Sequence, residues 1–201
     1  MIMLFPEDIA KFDLVDADIS YYSNFFEGVE AAELFQKLEN ETPWQHDSIT
    51  VYGKRYMQPR LTALFGNEGM PYKYSSILMN PNSWTPLLRN IKIRVEKICK
   101  VEFTSVLINY YRDGKDSNGW HADNESELGR NPVIASVSFG AERFFHLKHN
   151  TNKDLKVKLK LESGSLLVMK GPTQHFWKHQ IPKVTTNVGP RINLTFRIIK
   201  G

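Results

Sequence analysis

Two hydrophobic rhythms divide the chain near residue 100. Before that point, apolar residues recur at helical spacing in two stretches. From Gly28 to Asn40, Val29, Ala32, Leu34, Phe35 and Leu38 fall on one side of a predicted helix, and Thr42-Pro43 stops it. The second stretch is better marked. Thr85 is placed to cap it, Pro86 takes the first helical position, and Leu87, Leu88, Ile91, Val95 and Ile98 form one core-facing stripe. Residues 48–57 predict two strand pieces around a glycine-containing turn, and residues 1–25 predict an irregular arm.

Beyond residue 100 the period shortens to two. Residues 103–112, 132–139, 142–148, 155–161, 165–169, 174–180 and 190–199 are candidate strands, with turns at Asp113-Gly114, Ser163-Gly164 and Gly171-Pro172. From Leu155 to Leu161 aliphatic residues alternate strictly with Lys156, Lys158 and Lys160, which predicts a half-buried strand with its lysines facing solvent. Many short strands behind a helical N-terminal part predict an α+β sandwich or jelly roll with helices covering one sheet. The 201 residues contain no repeat, linker or low-complexity tract, so a single domain over 1–201 is expected.

Composition narrows the setting. The single Cys99 excludes an intramolecular disulfide and suits a reducing, intracellular compartment. No leader-like or membrane-spanning apolar run is visible, so a soluble protein is expected. A net charge of +4 tilts the chain mildly towards polyanions without deciding the matter.

The candidate chemistry begins at His121-Ala122-Asp123. On an extended segment, residues two apart point the same way, so this imidazole and carboxylate can grip one ion. With a third histidine they make a three-ligand non-haem iron site with open positions. Spacing leaves His146, His149, His175 and His179 all open as that third ligand, with His46 too early in the chain. In the C-terminal strand Arg191, Asn193, Thr195 and Arg197 share one face. That pattern describes an ordinary amphipathic strand or a carboxylate-binding wall, since a guanidinium fork matches a carboxylate bidentately. Asn109 and Tyr111 form another same-face pair just ahead of His121.

These segments resemble a known family. Asn109-Tyr110-Tyr111-Arg112-Asp113-Gly114, Trp120-His121-Ala122-Asp123-Asn124-Glu125, Ile134 to Gly140, Gly164 to Met169, His179-Gln180-Ile181-Pro182 and Pro190 to Arg197 resemble, in collinear order over roughly residues 50–199, the AlkB family of Fe(II)/2-oxoglutarate dioxygenases. The likeness is strongest to the branch that repairs duplex DNA. It implies a double-stranded β-helix over about 101–201, preceded over about 1–100 by helices and a nucleotide-recognition lid. It implies His121, Asp123 and His179 as catalytic metal ligands. Asn109, Tyr111, Arg191, Asn193, Thr195 and Arg197 match positions for 2-oxoglutarate, with Arg191 and Tyr111 on the distal carboxylate and Arg197 and Asn109 nearer the keto-acid end.

On the substrate side, the resemblance implies that Glu125 contacts the damaged base and that Tyr72, Tyr74 and Ser75 belong to the segment that stacks on it. Val51-Tyr52-Gly53-Lys54 matches a finger that fills the gap left by a flipped base, with Tyr52 where the family has Phe. Lys54, Arg55, Arg60 and Lys73 are candidate phosphate contacts. The implied activity is oxidative demethylation of 1-methyladenine or 3-methylcytosine in DNA, using Fe(II), 2-oxoglutarate and O2 and releasing succinate, CO2 and formaldehyde. The implied partner is alkylated DNA, single- or double-stranded, with RNA as an alternative, handled by a monomer in a bacterial cytoplasm or a eukaryotic nucleus. Two rivals stand beside it: an oxygenase acting on RNA, protein or a small molecule, and an inactive nucleic-acid-binding module. The lysine-rich stretch within 140–160 does not align in detail; it reads as a grip on a second strand or as a soluble edge.

Overall fold

The computed structural model describes residues 2–4, 9–51, 54–68, 72–74 and 77–200. Two sheets dominate it. The five-stranded sheet runs in the order β1 (Ile2–Leu4), β13 (Lys156–Leu161), β12 (Arg143–His149), β15 (Trp177–Ile181) and β10 (Asn118–His121). The seven-stranded sheet runs β2 (Ile9–Phe12), β3 (Asp18–Tyr22), β14 (Leu166–Lys170), β11 (Ile134–Gly140), β16 (Arg191–Arg197), β9 (Ser105–Tyr111) and β6 (Leu61–Gly66). Neighbours pair antiparallel except β1 with β13. Two hairpins stand apart: β4 (Ser48–Val51) with β5 (Lys54–Met57), and β7 (Tyr72–Tyr74) with β8 (Ile77–Met79). The arrangement is the expected jelly roll.

The period-two residues explain the layers. Phe145, Leu147, Val157, Leu159, Leu161, Trp177 and Ile181 from the first sheet pack against Leu107, Tyr111, Leu167 and Met169 from the second. The opposite face of the seven-stranded sheet carries Val106, Ile108, Val137, Ile192, Leu194 and Phe196. It is covered by α1 (Gly28–Glu41) through Ala31, Phe35 and Leu38, and by α2 (Pro86–Cys99) through Leu88, Ile91 and Val95. Buried on both faces, this sheet has an apolar layer on one side and a mixed one on the other. Thr85 caps α2 by accepting from the Leu88 amide at 3.2 Å, with Pro86 in the first turn. None of the described helices is long and apolar enough to cross a membrane.

Several expectations need correcting. The described residues within 1–25 are not an irregular arm: β1 extends the five-stranded sheet, and β2 and β3 extend the seven-stranded one beyond β14. Strand β6 is not among the predicted strands, because its residues are nearly all buried and show no alternation to mark it. The predicted strand at 174–180 is split, because Thr173–Phe176 forms a one-turn helix, α3, before β15 begins. Val29 and Ile98 are exposed, so the helical stripes are narrower than their apolar residues suggest.

Gly164 is the turn on which the sandwich closes. Its φ is +77°, its carbonyl accepts from the Phe26 amide at 2.9 Å, and its amide donates to the Ser138 carbonyl at 2.8 Å. A Cβ here would lie 2.2 Å from the Phe26 carbonyl oxygen. Gly164→Ala is therefore expected to destabilise the fold by about 2–4 kcal/mol, read as a lowered midpoint in thermal denaturation.

Candidate active site

The cavity between the two sheets is lined by residues from both. His121, Phe145, Leu161, His179 and Ile181 come from the five-stranded sheet, while Leu107, Asn109, Tyr111, Ser136, Met169, Arg191, Asn193, Thr195 and Arg197 come from the other. Asp123 joins them from the segment after β10. The sandwich thus encloses a polar chamber inside its own core, where each polar group needs a partner or a ligand.

His121, Asp123 and His179 bring their ligand atoms within 4.8 Å of one another. The two imidazoles meet because β10 pairs with β15 in a register that sets His121 opposite His179, with ring centroids 4.3 Å apart. Phe145 stacks on His179 at 5.0 Å and fixes its plane. The His121 Nδ1–H donates to the Gly119 carbonyl at 2.8 Å, which directs Nε2 and its lone pair towards the cluster. Asp123 is not on the strand. β10 ends at His121, and the carboxylate is placed by two tethers: its own amide donates to Gln174 Oε1 at 2.9 Å, and Arg197 Nη2 donates to its Oδ1 at 2.7 Å. The second carboxylate oxygen faces His179 Nε2 at 3.8 Å.

The electrostatics favour metal-ready protonation states. Burial pushes the His179 imidazole down to about 3, helped by the neighbouring His121 and Arg197 and opposed by Asp123. Burial also lowers His121. Burial alone would raise the Asp123 carboxyl, but the Arg197 guanidinium beside it holds it well below the usual carboxylate range. Two neutral imidazoles and one carboxylate are a donor set that suits Fe(II), so the residues present fit that ion. Of the other histidines, His175 shares hydrogen bonds with Asn131, His149 faces Asp16, His46 bonds the Gln58 carbonyl, and His146 lies on the opposite face of its sheet.

The wall opposite is built by β16, β9 and β11. Arg191, 1% exposed, donates through Nη2 to Ser138 Oγ at 2.9 Å and lies over the Tyr111 ring. Its Nε and Nη1 groups are buried without a hydrogen-bond partner among the described residues. Burial brings this guanidinium down to about 10, yet it stays cationic at neutral pH. A buried cation with two orphaned donors is a receptor for a carboxylate. Next to it Asn193 donates to Ser136 Oγ and the Val137 carbonyl at 2.7 and 3.1 Å, and accepts from Thr195 Oγ1 at 2.9 Å. Asn109 accepts from Arg60 Nε at 2.8 Å and donates weakly to Asn193 Oδ1. All six residues expected for 2-oxoglutarate therefore surround one chamber.

Arg60 corrects an expectation: it is buried behind Asn109 and supports the chamber wall rather than a surface phosphate contact. Ser136, Ser138 and Gln174 are wall and tethering residues that the sequence reading missed. The alternation in Ile134-Ala135-Ser136-Val137-Ser138 was the available signal for the first two. Glu125 lies outside the chamber lining and opens the short 3-10 turn Ser126–Leu128. Tyr52 and Ser75 lie outside the described residues, as do the side chains of Tyr72 and Tyr74.

Comparison with known proteins agrees with this geometry. Residues 18–197 match the 2OG-Fe(II) oxygenase superfamily. The chain is 42% identical over 190 residues to human "Alpha-ketoglutarate-dependent dioxygenase alkB homolog 3", covering 90% of this chain and 66% of that one. It is 39% identical over 188 residues to human "DNA oxidative demethylase ALKBH2", covering 89% of this chain and 72% of the relative. Among solved structures, "The structure of OsALKBH1" aligns with a TM-score of 0.63 at 16% identity, covering 90% of this chain and 96% of that one. A 2OG-Fe(II) family oxidoreductase from Burkholderia pseudomallei aligns at 0.60 and 12%, covering 91% and 86%. These two show shared fold alone. On the strength of the matched profile and relatives, the chain belongs to the AlkB family within the 2OG-Fe(II) oxygenase superfamily.

Proposed function

We propose that the protein is an oxidative demethylase of N-alkylated bases in nucleic acid, with DNA carrying 1-methyladenine or 3-methylcytosine as its substrate. The observation that carries this reading is the pairing, in one buried chamber, of the His121–Asp123–His179 cluster with the orphaned donors of Arg191. His121, Asp123 and His179 would hold Fe(II), and Arg191 with Tyr111 would take the distal carboxylate of 2-oxoglutarate. With O2 and 2-oxoglutarate, the bound metal would supply oxidation of the N-methyl group, leaving succinate and CO2. The hydroxymethyl product then breaks its N–CH2OH bond, releasing formaldehyde and the unmodified base.

The chain's own residues set up that chemistry. Arg197 keeps Asp123 ionised and oriented. Phe145, Leu107, Leu161, Met169 and Ile181 line the chamber with apolar surface and limit the water that can enter. Asn193, Thr195 and Asn109, bonded to one another and to Ser136 and Arg60, hold the floor rigid. Glu125, two residues beyond Asp123, is assigned to the cationic base, whose positive charge a carboxylate favours over the neutral parent.

The likeness to human DNA oxidative demethylase ALKBH2 supports a nucleic-acid substrate and favours DNA. Formaldehyde and succinate release from methylated DNA and RNA, single-stranded and duplex, alongside methylated peptides and free amino acids, tests the reading. Stoichiometric release from a methylated DNA is the expected result. Release only from RNA would replace the substrate, and release only from peptides or small molecules would overturn the assignment. Tyr52→Ala is expected to reduce turnover on duplex more than on single strands; equal losses would remove the finger role from residues 51–54.

A further inference from the structure

Lysines from three adjacent strands meet on the outer face of the five-stranded sheet. Lys148 on β12 is directly opposite Lys156 on β13, and on its other side directly opposite Lys178 on β15. Their neighbours in each strand, Leu147, Val157, Trp177 and His179, are buried in the core, so the lysines point away from it. Lys158 lies opposite His146, with its Nζ 3.8 Å over the Phe144 ring. The Lys148 Nζ lies 4.3 Å over the ring of Trp120, an exposed tryptophan on β10.

Like charges placed directly opposite in a sheet destabilise it. Here no counter-charge offsets the repulsion: among the described residues no carboxylate lies within ion-pair distance of Lys148, Lys156, Lys158 or Lys178, and only the rings of Trp120 and Phe144 face Lys148 and Lys158. Lys160 alone on this face is neutralised, by Glu142 at the far end. His146 feels the same field, since burial and Lys158 both hold its imidazole below its ordinary value. Edge protection does not account for the row. β12 is hydrogen-bonded on both sides, and the edges of this sheet are β1 and β10.

Fixed cations at strand spacing, roughly 5 Å apart, beside the exposed Trp120 ring and the half-buried Phe144 ring, make a surface for a flexible polyanion with stackable bases. We propose that this face binds the backbone of a single nucleic-acid strand, the stretch that flanks the nucleotide held at the active site. It rests on the reading of the substrate as nucleic acid. Its position supports the link: Trp120 and His121 are consecutive on edge strand β10, so the outer face and the chamber meet along that edge. A strand leaving the site passes Trp120 and continues across Lys178, Lys148 and Lys156.

The test compares two variants of equal net charge, one changing Lys148, Lys156 and Lys178 to Gln, the other changing the exposed Lys11, Lys37 and Lys97 to Gln. Binding of a single strand of about 20 nucleotides is measured over a salt series, beside formaldehyde release from a methylated strand of about 5 nucleotides. The patch variant is expected to bind the long strand at least about tenfold more weakly, with a salt slope smaller by about 2, while the control stays near wild type. Turnover of the short strand stays unchanged, and the patch variant melts no lower than wild type because its repulsion is gone. If the triple variant does not fold, Lys148→Gln alone is measured, with an expected loss of about threefold. Equal losses in patch and control variants, or none in either, overturn the proposal. Absence of formaldehyde from wild type on the short strand would instead remove the demethylase reading, while the binding comparison would still decide the role of this face.

Discussion

Asp123→Asn is expected to leave the fold standing and to reduce 2-oxoglutarate turnover by more than about a hundredfold, beyond the usual loss for a residue one shell away from a metal. Asp123 carries two loads. One oxygen receives Arg197 at 2.7 Å and the other faces His179, so the carboxylate serves both as a counter-charge inside the core and as the anionic member of the proposed donor set. Alanine would remove both functions and expose the fold to about 3–5 kcal/mol of damage, because Arg197 is itself buried. Asparagine keeps an oxygen for Arg197 and removes only the charge. Fe(II) binding under anaerobic conditions, measured beside thermal denaturation, separates the two. An Asp123→Asn protein that melts normally and still binds Fe(II) as wild type would withdraw Asp123 from the donor set.

The second large effect is expected at Arg191. Its guanidinium is buried and faces no carboxylate within ion-pair distance among the described residues, so the protein without 2-oxoglutarate carries an uncompensated cation in its core. Because its folded value is depressed to about 10, that destabilisation is fully present at neutral pH. It is relieved only as pH rises from about 10 towards the ordinary arginine value. Arg191→Met should therefore melt at or above the wild-type temperature while losing the stabilisation that 2-oxoglutarate gives wild type. Its KM for 2-oxoglutarate should rise by about two orders of magnitude, the scale of a desolvated charge pair, with Fe(II) binding retained. A variant with unchanged KM would place the co-substrate elsewhere.

Both residues were visible in the sequence, for different reasons. Arg191, Asn193, Thr195 and Arg197 alternate on a strand, and alternation survives folding because a strand alternates its faces whatever it pairs with. His121 was legible in the same way. Asp123 was found by the right spacing but for an incomplete reason: the strand ends at His121, and Gln174 and Arg197 place the carboxylate. No local pattern announces a tether from a residue 51 positions away. Which histidine completes the cluster was likewise a question of register, settled in space by β15 lying beside β10. The same limit hid β1 and β3, which pair with β13 and β14 more than a hundred residues downstream, and β2, which pairs in turn with β3. Arg60 was misread because a basic residue on a buried, non-alternating stretch looks like any surface arginine until its neighbours are known.

The tether on Asp123 has a mechanical consequence. His121 and His179 belong to one sheet, whereas Arg197, which fixes Asp123, belongs to the other. An ion held by all three ligands would act as a rivet across the mouth of the sandwich, joining layers that are otherwise tied there by side-chain packing and the single Arg197–Asp123 ion pair. Because β10 is an edge strand paired only with β15, it gains most from such a rivet. Metal affinity and cohesion of the two layers then become one linked quantity, so a substitution deep in the packing between the sheets can loosen the ion without touching it.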